Sequence, residues 1–201
     1  MFNRYRAVSL FVLAMFVLPL AAGAVVEPKT KTEYPDEVTL EGTDQVVTLR
    51  ATGVALREKT IMKVDVYTIV GYVDASATLT GDKAEAFIDL LAPKRLQMDL
   101  TRGFGVDKLK KSFSDVIKKN FDDMTPFAAD MEVFLGYFTK EAEEGDKLVF
   151  DFCPMKGLST ELNGEHMGTI ENVEFMKALW SVWFGKKPAN DGMKEKLLAN
   201  I

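Results

Sequence analysis

GVALREKTIMKVDVYTIVGYV, residues Gly53 to Val73, is the stretch from which the fold is read. Its second half, Lys63 to Val73, is dense in β-branched and aromatic residues and free of proline, which predicts a strand. Side chains alternate faces along a strand. Val64, Val66, Thr68, Val70 and Tyr72 therefore share one face, almost wholly apolar, that belongs in a core. Lys63, Asp65, Tyr67, Ile69, Gly71 and Val73 share the other, a mixture suited to the floor of a cleft. Arg57 stands just upstream, where the chain leaves one strand for the next. An arginine and a tyrosine close together on a half-apolar surface can hold an anionic head group.

Toward the N terminus, Gln45 to Ala55 reads as a preceding strand with a bend or bulge at Gly53. Val25 to Asp44 is polar and proline-bearing, and is expected to be a loosely held arm ahead of a domain spanning 45–201. Residues 1–24 have the makeup of an export signal. Arg4 and Arg6 come first, then an uncharged apolar run from Ala7 to Leu20, then Ala22-Gly23-Ala24. Cleavage is expected between Ala24 and Val25, giving an exported, periplasmic protein. The competing reading is an uncleaved membrane anchor, since the run approaches spanning length; Pro19 and the small-residue exit favour cleavage. No later stretch of the sequence is long and apolar enough to span a bilayer.

The 201-residue chain has 25 Lys and Arg against 30 Asp and Glu, a net charge of −5, and loses two arginines with the signal. An acidic exported domain without a basic cluster is a poor match for nucleic acid or an anionic lipid surface. Cys153 is the only cysteine and His166 the only histidine. An intramolecular disulfide, a His/Cys metal site and a nucleophile–histidine relay are thereby excluded, and no cofactor is expected. Cys153, in LVFDFCP, reads as a small buried apolar residue. His166, in NGEHMG, reads as an exposed ring at a turn.

Toward the C terminus, Thr80 to Leu91 has helical spacing (Ala84, Phe87, Ile88, Leu91) and stops at Pro93. Arg95 to Thr101 alternates as a strand. Asp107 can cap a helix whose stripe is Leu109, Phe113, Val116, Ile117 and Phe121, with its lysines on the solvated face. Thr125-Pro126 opens another, running through Phe127, Met131, Phe134, Leu135 and Phe138. Lys147 to Phe152 is a strand, and Gly157 to Ile170 a hairpin turning at Asn163-Gly164. Asn172 caps a helix that ends at Gly185, and Met193 to Ala199 forms a last short one. Strands interleaved with helices in this way indicate an α+β fold, a curved antiparallel sheet with helices on one face.

Three motifs occur in order: G-V-x-x-R at Gly53 to Arg57, K-V-D-V-Y-x-x-x-x-Y at Lys63 to Tyr72, and a long C-terminal signature. The last comprises Asn163-Gly164, I-E-N at Ile170 to Asn172, F-x-x-A-L-W-x-x-W-x-G at Phe175 to Gly185, Pro188 and Leu197-Leu198. In this order and spacing the chain resembles the chalcone isomerase-like domain family, in its bacterial exported form, over roughly Gln45 to Ala199. The resemblance implies an open-faced β-sandwich, a large antiparallel sheet under a helical layer with the ligand cleft between them. It also implies one of two functions. Plant enzymes of the family close a chalcone to a flavanone, stabilising developing charge with cationic and hydroxyl donors. Its fatty-acid-binding members hold a carboxylate with an arginine and a tyrosine.

Arg57 matches the shared anion-binding arginine, and Tyr67 stands where the fatty-acid binders have tyrosine and the isomerases threonine. The isomerases' tyrosine and asparagine have no counterpart between Thr101 and Lys119. Val182 falls where they carry a hydroxyl; Ser181 is adjacent but rotated by about 100° on a helix. The resemblance therefore implies an exported, non-catalytic binder of a fatty acid or similar apolar carboxylate, with Arg57 as charge partner and Tyr67 as hydroxyl donor. The alternative is an isomerase, an intramolecular lyase acting on a chalcone-like or other enone. A third reading is a scaffold that kept the fold and lost the ligand; a cleft packed with side chains would support it. At the residue level, Arg57 otherwise pairs with Asp65 or Glu58, and Tyr67 is otherwise a core tyrosine bonded to backbone. Arg102, beside Gly103 at a strand end, is a weaker anion-binding candidate.

Overall fold

The β-branched runs of the sequence become a seven-stranded sheet. In the computed structural model, which describes residues 23–42, 45–59 and 64–201, it comprises β3 (Glu37–Glu41), β4 (Val46–Lys59), β5 (Val64–Asp74), β6 (Lys94–Leu100), β7 (Lys147–Cys153), β8 (Gly157–Leu162) and β9 (Glu165–Ile170). Neighbours in sequence are neighbours in space, all antiparallel, and the sheet curls into a half-barrel. Ahead of it, β1 (Ala24–Val26) pairs with β2 (Glu33–Pro35). The helices are α1 (Lys83–Asp89), α2 (Val106–Asn120), α3 (Ala128–Gly136), α4 (Val173–Phe184) and α5 (Asp191–Leu197). The α+β architecture expected from the sequence is the one observed. The export segment lies almost wholly outside the described residues, and so does Lys63.

Helix α4 is the centre of the helical layer. Nine of its 12 residues are buried, and a helix with so wide an apolar surface belongs inside a core. Asn172 caps it, its side chain accepting from Glu174 N at 3.0 Å and donating to Pro126 O and Asp130. Phe113 of α2 packs edge-on to Phe134 and stacks on Phe138, with ring centroids 5.2 and 5.8 Å away. The cap expected at Asp107 is instead Gly105; Asp107 lies in the first turn, where the helix dipole favours a carboxylate. Thr125–Phe127 is a 3-10 turn leading into α3 rather than its first α turn.

Residues 25–44 were expected as a loosely held arm, yet among the described positions they hold most of β1 and all of β2 and β3. The outer face of β4 and β5 is apolar and needs a cover, which β1 and β2 supply, while β3 extends the sheet at its edge. Tyr34 is buried against Leu49, Ala51, Val70 and Tyr72, and its hydroxyl meets Thr68 Oγ1 at 2.6 Å. Strand β5 departs from the strict alternation expected of it. Thr68, Val70 and Tyr72 share the outer face as alternation requires, but Val66 joins the inner core with Tyr67. Arg57 is opposite Tyr67 and Glu58 opposite Asp65, leaving Val66 without a partner. Such a β-bulge re-aims the side chains beside it. A second bulge lies between Ala51 and Gly53, where a side chain on Gly53 would strike the backbone of α5.

Candidate functional site

Arg57 and Tyr67 are cross-strand partners, which puts their side chains on one face, the inner one. The Arg57 guanidinium lies 5.5 Å from the centre of the Tyr67 ring. Helix α4 closes over them from the other side. Trp183 Nε1 donates to the Tyr67 hydroxyl oxygen at 2.9 Å, both side chains being buried. Tyr67 is thus bonded to an indole, not to backbone. Burial pushes its hydroxyl pKa up, while the Arg57 charge and the indole N–H act in the opposite direction. Tyr67 is held as a neutral phenol at physiological pH.

The ion pair foreseen as the other role for Arg57 is not formed. Glu58 and Asp65 both engage Lys29, at 2.7 and 2.5 Å. Among the described residues Arg57 has no carboxylate partner, and it is only half-buried. Guanidinium and indole can only donate hydrogen bonds. The Tyr67 oxygen already accepts from Trp183, so its own O–H remains to be donated, as do the Arg57 N–H groups. Donors in excess at an apolar surface form a site for an acceptor, and a carboxylate is the acceptor that also meets the charge.

The surface is apolar. Val66, Met98 and Leu100 floor a cavity of about 30 Å³ beside Arg57 and Tyr67. Leu109 and Phe113 of α2 and Val182 and Trp183 of α4 close it, and Phe104 stands in its wall. That volume admits one water-sized group, so an acyl chain enters only if the α2 side chains give way. Val182 lines the cavity and Ser181 does not; the Ser181 hydroxyl donates to Ala178 O at 2.6 Å. Arg102 is exposed and takes no part in the lining.

Two lining residues were missed in the sequence. Trp183 stood in the C-terminal signature without a role, and only the packing of α4 onto β5 gives its indole a partner. Ser112 is the one hydroxyl that α2 brings to the cavity, and it donates to Lys108 O at 2.7 Å. Asn120, one residue past Lys119, lies elsewhere: it accepts from Lys187 N at 2.8 Å and ties α2 to the end of α4.

A family model described as chalcone isomerase-like matches residues 29–199. The chain belongs to that family. The match reaches back to residue 29, in keeping with strands β2 and β3. No curated protein matches this chalcone isomerase-like chain in sequence. Among solved structures, it is similar to the crystal structure of a fatty-acid binding protein from Arabidopsis thaliana. The identity is 18%, covering 89% of this chain and 97% of that one, with a TM-score of 0.67. At that identity the likeness is one of fold.

Proposed function

We propose that this protein is an exported, non-catalytic binder of a fatty acid or similar apolar carboxylate, held between sheet and helices with its head group on Arg57 and Tyr67. The observation that carries the reading is Arg57, without a carboxylate partner among the described residues, beside a phenol whose oxygen is already occupied by Trp183, at the edge of an apolar cavity. The fatty-acid-binding relative of the same fold supports the ligand class. Valine at 182, with no tyrosine or asparagine between Thr101 and Lys119, removes donors that an enone cyclisation needs. The small size of the cavity favours a second reading, a domain that kept the fold without the ligand.

One titration separates them. Purified protein is titrated with a fatty acid and with the matching alcohol, wild type against Arg57→Ala. A hydrogen bond to a charged group is worth about 1.5–3 kcal/mol, so Arg57→Ala should weaken the acid roughly ten- to a hundredfold. The alcohol should be much less affected. Arg57→Lys should recover part of the loss, lacking the planar fork. No saturable binding of the acid by wild type would establish the ligand-free reading. Saturable turnover of a chalcone, abolished by Arg57→Ala, would establish an isomerase.

A further inference from the structure

Leu109 of α2 lines two cavities. One is the Arg57–Tyr67 cavity; the other, of about 120 Å³, is bounded by Tyr137, Phe138, Ala142, Leu148, Leu162 and Met167. They share one floor. In register, Met98 on β6 is opposite Leu148 on β7, and Leu148 is opposite Leu162 on β8. Met98 belongs to the first cavity, Leu148 and Leu162 to the second. The walls are also joined, since Phe104 of the first and Ala142 of the second form an isolated antiparallel bridge. Leu109 is the side chain common to both linings. It sits in the first turn of α2, whose N-cap glycine makes no side-chain cap, so that this helix end lacks one of the usual restraints.

We propose that the second cavity receives the far end of the ligand whose carboxylate rests on Arg57, and that Leu109 is the gate between the two cavities and so sets ligand length. The inference rests on the anion-site reading. An apolar cavity of about 150 Å³ holds benzene, so the second cavity takes the last four or so carbons of a chain. Crossing from Tyr67 on β5 to Leu162 on β8 spans three strand spacings, roughly 14 Å. C–C bonds of about 1.5 Å in a zigzag advance about 1.3 Å each, so roughly ten bonds cover that distance. At the outer end the exposed Lys140 and Glu165 put charge and water in the way of a longer chain.

Calorimetric titration with octanoate and dodecanoate tests this on wild type, Leu109→Ala, Met167→Trp and Arg57→Ala. Met167 is a half-buried strand residue, so tryptophan there blocks the far cavity with little effect on folding. Each buried methylene is worth roughly fourfold in affinity. Met167→Trp should therefore weaken dodecanoate by about tenfold or more and leave octanoate as in wild type. Leu109→Ala should strengthen dodecanoate relative to octanoate. If Met167→Trp leaves both acids unchanged, or weakens both equally, the length assignment is overturned, whether or not Leu109→Ala folds. An Arg57→Ala chain that binds octanoate as tightly as wild type overturns the underlying anion site. That failure is distinguishable because the Met167→Trp discrimination between the two acids would persist.

Discussion

Tyr67 and Trp183 act as one unit, and their energetics should show it. Tyr67→Phe removes the acceptor of a buried indole N–H, and an orphaned buried donor costs about 1–3 kcal/mol. Trp183→Phe removes the donor and frees the hydroxyl. In a double-mutant cycle followed by urea denaturation, adding Trp183→Phe to Tyr67→Phe should cost clearly less than Trp183→Phe alone. Additive losses would show that the 2.9 Å contact carries no energy. Lys94 makes a second residue-scale case. It is fully buried, donates to Phe87 O at 2.7 Å and Ile88 O at 3.0 Å, and lies 5.0 Å from the Trp180 ring centre. Burial holds its pKa well below the usual lysine value; even as a neutral amine it retains hydrogens for both carbonyls. Between the lowered folded value and the unfolded value near 10.4, the unfolded chain binds more protons. This contribution therefore makes stability rise with pH across that window and fall as pH drops. Denaturation midpoints of wild type minus Lys94→Met should increase from pH 7 to pH 9.5. A flat difference would mean that Lys94 is charged in the fold throughout.

The elements differ in how much of them is local. The β8–β9 hairpin is set by two residues: Asn163 at φ 54° and Gly164 at φ 81° form the tight turn that Asn-Gly favours. A side chain on Gly164 would meet nothing within 4 Å, so its cost there is backbone strain alone. Gly164→Val should lower stability by about 1 kcal/mol or more, seen as a lower denaturation midpoint. An unchanged midpoint would show that the turn tolerates another conformation. Helix α4 was likewise legible, since its Asn172 cap and Gly185 stop act within a few residues. The inner face of β5 was less so. Strict alternation assigns Val66 to the outer face, whereas the bulge opposite Arg57 and Glu58 brings it into the cavity floor. A bulge is a property of two paired strands, and neither sequence alone marks where the extra residue falls.

At the scale of the whole molecule, the sheet separates a large core under the helices from a small one under β1 and β2. If that small core holds the N-terminal segment in place, truncating Tyr34 must be felt globally. Tyr34→Ala should cost about 3 kcal/mol or more, as for other buried aromatics. Tyr34→Phe, which removes only the hydroxyl beside Thr68, should cost nearer 1 kcal/mol. A Tyr34→Ala chain unfolding like wild type would restore the reading of a loosely held arm. By itself, the sequence determined the α+β class, the strand and helix order from β4 onward, the family, and Arg57 and Tyr67 as the residues to test. Those features rest on period, capping and turn chemistry, which act over a few residues, and on motifs that keep their order along the chain. Only the tertiary structure decided that β1 and β2 cover the sheet's outer face while β3 extends its edge, that Lys29 takes Glu58 and Asp65, and that Trp183 occupies the Tyr67 oxygen. Each depends on groups from 29 to 116 positions apart being brought within hydrogen-bond reach, and no local pattern encodes which distant donor arrives first at an acceptor.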